Sequence, residues 1–378
     1  MAGELVGRDV ESGRAIRIRW EDGRIRSVTP TSEAAGLPWV ISGLVDLQVN
    51  GYAGLDVNAE DATPETCVEL GRTLAHEGTT TFVPTVITAP VARICRAVEA
   101  VADACERDPV TAASVPFIHV EGPFISPEEG ARGVHAYGEI RPPNVAELLR
   151  WQQHARGRIG MVTMSPHFPE SPAFIRAAVG LGIRVAIGHT HASAEQIRAA
   201  VDAGARFATH LGNGIQAMLP RHPNAIWDQL AEDRLMAGVI ADGHHLPAAT
   251  LTSILRAKGL DRCFAVSDSA ATSSLAPGHY TTAVGGEVDL QADGTLRVAG
   301  TPYLAGAALP LRAALDVIPQ AGFSLRDAVR LTTTNPGRLA GGSGRLEPGM
   351  RADIVTFDLV EHKVQLGTVH RSGTLVRG

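Results

Sequence analysis

Cysteine is scarce in this chain of 378 residues: there are four, Cys67, Cys95, Cys105 and Cys263, and none forms a Cys-x-x-Cys pair. That spacing excludes a structural zinc site and a disulfide framework as organising devices, and the cytoplasm, a reducing compartment, is the expected location. Long apolar runs are missing too. No stretch approaches the roughly 20 apolar residues a membrane-spanning helix needs, and the opening MAGELVGRD is too charged and interrupted for a secretory leader. Positive charge is in short supply, with 34 Lys and Arg against 40 Asp and Glu and a net charge of −6. This argues against nucleic acid or an anionic membrane surface as partner. Low-complexity tracts are absent as well. What is present is a composition with 44% hydrophobic and 20% charged residues, enough to bury a sizeable core, in a length that accommodates one large barrel domain and a smaller one.

Eight short apolar runs have the length and β-branched or aromatic content of strands, at about 39–50, 79–87, 115–121, 159–166, 184–190, 205–211, 235–242 and 263–269. Between most of them lie alanine-rich segments with apolar residues at helical spacing, clearest at 64–77, 90–106, 144–155, 172–181, 193–203 and 247–258. Strand alternating with helix implies parallel strands joined by crossovers. Eight such units predict an α/β fold, a closed (β/α)8 TIM-like barrel, over residues 42–343. The runs are apolar at consecutive positions, as strands covered on both faces should be. The chain ends read differently. Residues 1–41 contain alternating strand patterns around an Asp22-Gly23 turn, and 344–378 hold further short strands, so both ends are expected to build one small β-sandwich. A further hairpin, GEVDLQADGTLRVAG at 286–300, carries Asp293-Gly294 as its turn.

Four of the strand-like runs end on chemistry-bearing residues: Glu121, His189, His210 and Asp268. In a parallel barrel, successive strand ends converge on the face that carries active sites. One carboxylate and two imidazoles form a three-ligand set for a catalytic divalent ion with a position left open. Such an ion lowers the pKa of its bound water from 15.7 to roughly 7, making hydroxide available at neutral pH. Asp268, at the end of the last strand, is then the expected proton carrier between that water and the leaving nitrogen. Alone, Asp268 among Ser267, Ser269 and Thr272 also reads as a helix cap, and one strand-end histidine reads as a buried core residue. Jointly the four point to a metal-dependent hydrolase.

His119-Val-Glu-Gly-Pro-Phe124, Gly188-His-Thr190, Thr209-His-Leu211, Val266-Ser-Asp268, Ile240-Ala-Asp-Gly-His-His245, Asn335-Pro336 and Gly349-Met-Arg-Ala-Asp353 together resemble the N-acetylglucosamine-6-phosphate deacetylases of the amidohydrolase superfamily. The resemblance runs from about residue 40 to 360. It implies a barrel with a small β-sandwich, hydrolysis of an N-acetyl group, Glu121, His189 and His210 as metal ligands, and Asp268 as acid/base. Where many amidohydrolases carry His-x-His on the first strand, this chain has Gln48-Val-Asn50. Neutral amides are poor transition-metal ligands, so one divalent ion is expected, zinc first, with iron or another divalent ion also accepted. Gln48 and Asn50 either hydrogen-bond within the barrel mouth or position water and substrate. By the same resemblance His245 supports the developing oxyanion. His135 and Asn213 contact substrate, and Arg221 reaches a phosphate across the interface of a homodimer.

Two loops depart from the family pattern. Residues 126–135, SPEEGARGVH, are longer and acidic where lysine is usual, and 212–218, GNGIQAM, carry two extra residues and lack an aromatic. Both lie at the substrate end of the barrel. The expected reaction is therefore release of acetate from an amino sugar, N-acetylglucosamine 6-phosphate first. An unphosphorylated N-acetyl sugar, a cyclic amide or an N-acyl amino acid is the alternative substrate. A barrel that binds a sugar without turnover is a third reading, opposed by the intact Asp268.

Overall fold

The computed structural model describes residues 2–32 and 36–378. Its centre is a parallel barrel of eight strands, β1 (Leu44–Val49), β2 (Thr79–Ile87), β3 (Ile118–Glu121), β4 (Ile159–Met164), β5 (Arg184–Ile187), β6 (Phe207–Ala208), β7 (Met236–Ile240) and β8 (Cys263–Val266), paired in sequence order. Closure comes from a parallel bridge between Val49 and Ser269, where the Asp268 N–H donates to the Gln48 carbonyl at 2.9 Å and the Asn50 N–H to the Ser269 carbonyl at 3.0 Å. The first and last strands thus meet at the residues that carry polar side chains into the barrel mouth.

Seven of the eight strands are shorter than the runs that predicted them, and for two the reason is identifiable. The run at 39–50 is two strands. Trp39–Ser42 pairs with Ile354–Val360 in the sheet built by the chain ends, and β1 begins after Gly43. A Cβ on Gly43 would lie 2.0 Å from Thr80 Oγ1, so the chain passes from one sheet to the other where only glycine fits. The run at 115–121 starts late because Pro116 has no N–H to give a ladder, and Val115 caps a short helix, Pro109–Ser114.

Helices cover the barrel, and their ends follow local chemistry. Asn144 accepts from the N–H groups of Ala146 and Glu147 to start Val145–His154, and Ser193 forms a capping box with Gln196 to start Ala194–Ala203. In Pro64–His76 the buried positions Cys67, Leu70, Gly71 and Leu74 fall on one stripe that packs on the outer face of β2, where Phe82 is fully buried. A Cβ on Gly71 would approach Phe82 to 3.0 Å, so this helix rides unusually close. Phe82→Ala is expected to destabilise the fold by about 3–5 kcal/mol, read as a lower urea midpoint; a shift below about 1 kcal/mol would contradict this packing. Inside the barrel, Leu47, Val83, Phe117, Met161, Phe207 and Phe264 fill the interior, leaving a packed core rather than a pore.

The chain ends share one seven-stranded sheet, in the order 374–377, 363–371, 354–360, 39–42, 2–9, 15–21, 24–30. Its two ends approach each other. Trp20 donates Nε1–H to the Gly373 carbonyl at 3.1 Å, and its ring lies 5.1 Å from that of His370. The Asp22-Gly23 turn is present with both residues at positive φ, 51° and 73°, as a tight hairpin turn of this composition requires. The expected hairpin at 286–300 is two strands of a three-stranded insertion, Gly278–Thr282, Gly286–Leu290 and Leu296–Val298. Its first strand, GHYTT, is largely exposed and lacks apolar alternation, so it carries no strand pattern legible in the sequence.

Candidate active site

Glu121 is the last residue of β3, while His189, His210 and Asp268 each stand two residues beyond β5, β6 and β8. All three of the latter adopt positive φ, 47°, 29° and 51°, a conformation costly for non-glycine residues and concentrated at functional sites. Gly188 lets the chain bend there, since a Cβ would meet Thr163 and Thr209 at 2.8 Å. The bend turns each side chain inward over the barrel mouth.

Glu121, His189 and His210 are buried, and their donor atoms lie within 4.8 Å of one another, the one such cluster among the described residues. Glu121 Oε1 is 3.1 Å from His210 Nε2 and 3.3 Å from His189 Nε2, and the two Nε2 atoms are 3.1 Å apart. His189 Nδ1 donates to the Ala131 carbonyl at 2.8 Å, which fixes the tautomer with an Nε2 lone pair facing the cluster. Burial pushes the Glu121 carboxyl up, but the hydrogen bonds and charges of the two imidazoles outweigh it and hold it well below the ordinary range. Burial likewise opposes charge on His210, and its hydrogen bond to Glu121 outweighs that and raises it. Two ring nitrogens and a carboxylate oxygen pointed at one another in a dry site are the donor set of a divalent cation.

Gln48 Nε2 donates to both Glu121 oxygens, at 3.1 and 3.2 Å, so it steadies the carboxylate from below. Asn50 Nδ2 donates to Asp268 Oδ1 at 2.8 Å. Burial, then the Glu121 charge, pushes Asp268 up to about 6, against the pull of His210 and His245. His245 hands Nδ1 to Asp242 Oδ2 at 2.7 Å and lines the cavity. Asp242 also accepts the backbone N–H groups of His244 and His245 through Oδ1. Sequence reasoning passed over this carboxylate, although its position three residues before His245 was a readable signal.

The cavity above these groups encloses about 690 Å3. Asn213 reaches it from the loop after β6 with its buried Nδ2 unpartnered, a donor free for a ligand. His135 touches the cluster itself: Nε2 is 3.3 Å from His189 Nε2 and Nδ1 is 2.8 Å from Thr88 Oγ1, while burial and then His189 push it down to about 3. Arg221 is exposed and does not line the cavity of its own chain. Of the two acidic residues in the loop after β3, only Glu129 lines the cavity, held by the Tyr303 hydroxyl at 3.1 Å; Glu128 lies near His191. The same loop brings in Arg132, which sequence reasoning did not single out.

A barrel with this strand-end donor set defines a hydrolase of the amidohydrolase class, and the family model described as "Amidohydrolase family" matches residues 39–376. An N-acetylgalactosamine-6-phosphate deacetylase of Escherichia coli O157:H7 is 30% identical over 361 residues, 93% of this chain and 92% of its own. The human N-acetylglucosamine-6-phosphate deacetylase is 33% identical over 358 residues, 88% and 82% of the two chains. Among solved structures, a mutant N-acetyl-D-glucosamine-6-phosphate deacetylase of Mycobacterium smegmatis in complex with N-acetyl-D-glucosamine-6-phosphate matches over 100% of both chains, with TM-score 0.88 and 27% identity. The chain belongs to the amidohydrolase family and, within it, to the N-acetylglucosamine-6-phosphate deacetylase family, whose members hydrolyse a carbon–nitrogen amide bond.

Proposed function

We propose that this enzyme removes the N-acetyl group of an amino sugar, N-acetylglucosamine 6-phosphate first, to give acetate and the free amine. The observation that carries the reading is the buried Glu121, His189 and His210 cluster opening into the same cavity as Asp268 and His245. The cluster fits one divalent ion, zinc first, with iron or another divalent ion also accepted by this donor set. When bound, that ion polarises the amide carbonyl and acidifies water in contact with it.

The chain's own residues supply the rest. The Asp268 carboxylate, oriented by Asn50, takes a proton from the water that adds to the acetyl carbon. It then delivers that proton to the nitrogen as the carbon–nitrogen bond breaks. His245 is oriented by its Nδ1 contact with Asp242 and, with both ring nitrogens protonated, donates Nε2–H to the carbonyl oxygen as charge grows there. Asn213 offers its unpartnered amide N–H to a sugar oxygen. Arg221, exposed on its own chain, belongs to this scheme only through a homodimer that brings it to a neighbouring cavity.

The 30% identity to a galactosamine-series relative beside 33% to a glucosamine-series one keeps the C4 epimer as a second substrate. Acetate release from N-acetylglucosamine and N-acetylgalactosamine, each with and without a 6-phosphate, is the test, run on zinc- and iron-loaded enzyme. Turnover is expected to be greatest on a 6-phosphate. No acetate from any of the four, alongside turnover of a cyclic amide or N-acyl amino acid, would replace this reading with the alternative.

A further inference from the structure

We infer that Arg132 is a residue through which the cavity binds an anionic substituent on the substrate, a phosphate monoester; the inference rests on the amino-sugar reading above. Arg132 is the one arginine or lysine among the described residues that line the cavity. Its guanidinium forms no ion pair and no side-chain hydrogen bond among them. Its one recorded contact is with the ring of Tyr137, 5.2 Å from the centroid, and that ring is itself exposed at the rim. Arg8 and Arg158 are also half-buried without a side-chain hydrogen bond or ion pair, but they lie away from the cavity; the other half-buried arginines are held by partners. Arg141, for instance, is held by Glu139, Glu147 and the Ala89 carbonyl. A half-buried, unpaired guanidinium beside a catalytic cavity offers a free donor fork, which matches phosphate geometry.

The backbone makes this placement firm. Ala131, the preceding residue, accepts His189 Nδ1–H through its carbonyl at 2.8 Å. The following Gly133, at φ 59°, lies so close to His189 that a Cβ would come within 3.2 Å of Cε1. The Arg132 N–H donates to the Glu128 carbonyl at 2.8 Å. The segment is therefore tied to the candidate metal cluster on both sides of Arg132, and only its long side chain extends toward the mouth. Glu129 lies in the same cavity, but its carboxylate accepts from Tyr303. The acidic character of the loop thus opposes a phosphate through one group, and Arg132 offsets it.

The test compares wild type, Arg132→Ala, Arg132→Lys and Arg221→Ala on N-acetylglucosamine 6-phosphate and on N-acetylglucosamine. Arg132→Ala is expected to lower the ratio of kcat/KM for the phosphorylated over the plain sugar by about 10- to 100-fold, the weight of a charge-assisted contact. The loss should fall on KM, because the contact is the same in ground and transition states. Arg132→Lys should recover part of it. An equal loss on both sugars would show a merely structural role and overturn the inference. So would a ratio that collapses only in Arg221→Ala. If no variant, wild type included, releases acetate, the deacetylase reading fails separately. Calorimetric titration with glucosamine 6-phosphate and glucosamine then decides: a phosphate preference lost in Arg132→Ala upholds the contact, and its persistence overturns it.

Discussion

Asp268→Asn is expected to lower kcat by about 10²- to 10⁴-fold, the range that a positioned proton carrier contributes, while bound metal stays near one equivalent. The variant amide still accepts from Asn50 through its oxygen, as Asp268 Oδ1 does at 2.8 Å, so the side chain keeps its place and loses only its basicity. The pH profile adds an independent readout. The carboxylate is the working form, so activity disappears as pH falls through the Asp268 pKa. Burial and the Glu121 charge push that value up to about 6, and a neighbouring cation lowers it. The acid limb of kcat/KM therefore falls at or below about pH 6 in wild type and is missing from the residual activity of the variant. Turnover of the variant within a few-fold of wild type, or an unchanged acid limb, would remove Asp268 from the mechanism.

The barrel and the strand-end residues were legible because both rest on strong local signals. Apolar runs of strand length repeat with helical segments between them, and a polar side chain at the end of a buried run has few reasons to be there. The structure brings Glu121, His189 and His210 together and sets Asp268 in the same cavity. The positive φ at three of these positions has no sequence sign, since histidine and aspartate are not turn formers of glycine's kind. It is imposed by the surrounding fold.

The loops were less legible, for a physical reason. A residue's direction in a strand follows from alternation, whereas in the loop after β3 it depends on backbone contacts. The bond from His189 to the Ala131 carbonyl involves no side chain of Ala131, so nothing in the sequence announces it. That bond helps turn Arg132 toward the cavity, while Glu128 lies near His191. Reading the loop as simply acidic therefore missed its one cation. Gln48 shows the same limit in milder form: a place in the barrel mouth was evident, but not that its amide would grip both Glu121 oxygens.

Glu121→Gln and His210→Ala are each expected to abolish stoichiometric metal binding and, with it, turnover down to the background of metal-stripped wild type. Glu121 Oε1 and the two Nε2 atoms lie 3.1–3.3 Å apart, so removing any one leaves two donors of the three-ligand set. Replacing the carboxylate by an amide removes the negative charge that balances the ion, and neutral amides bind transition metals weakly. Gln48→Ala touches the same carboxylate from behind and should cost about 10- to 100-fold in metal affinity rather than all of it, as loss of an outer partner does. Metal binding should release protons, because His210 is raised by Glu121 in the ion-free cluster and must be neutral to ligate. It should also raise Tm in wild type, since the ion binds the folded chain, and leave Tm of Glu121→Gln where it was. Metal content by mass spectrometry, proton release on titration with zinc, and Tm with and without zinc measure these effects. Wild type without a tightly held ion, or Glu121→Gln with a full equivalent, would show that the cluster is a buried hydrogen-bond network and that the chemistry must be sought elsewhere in the cavity.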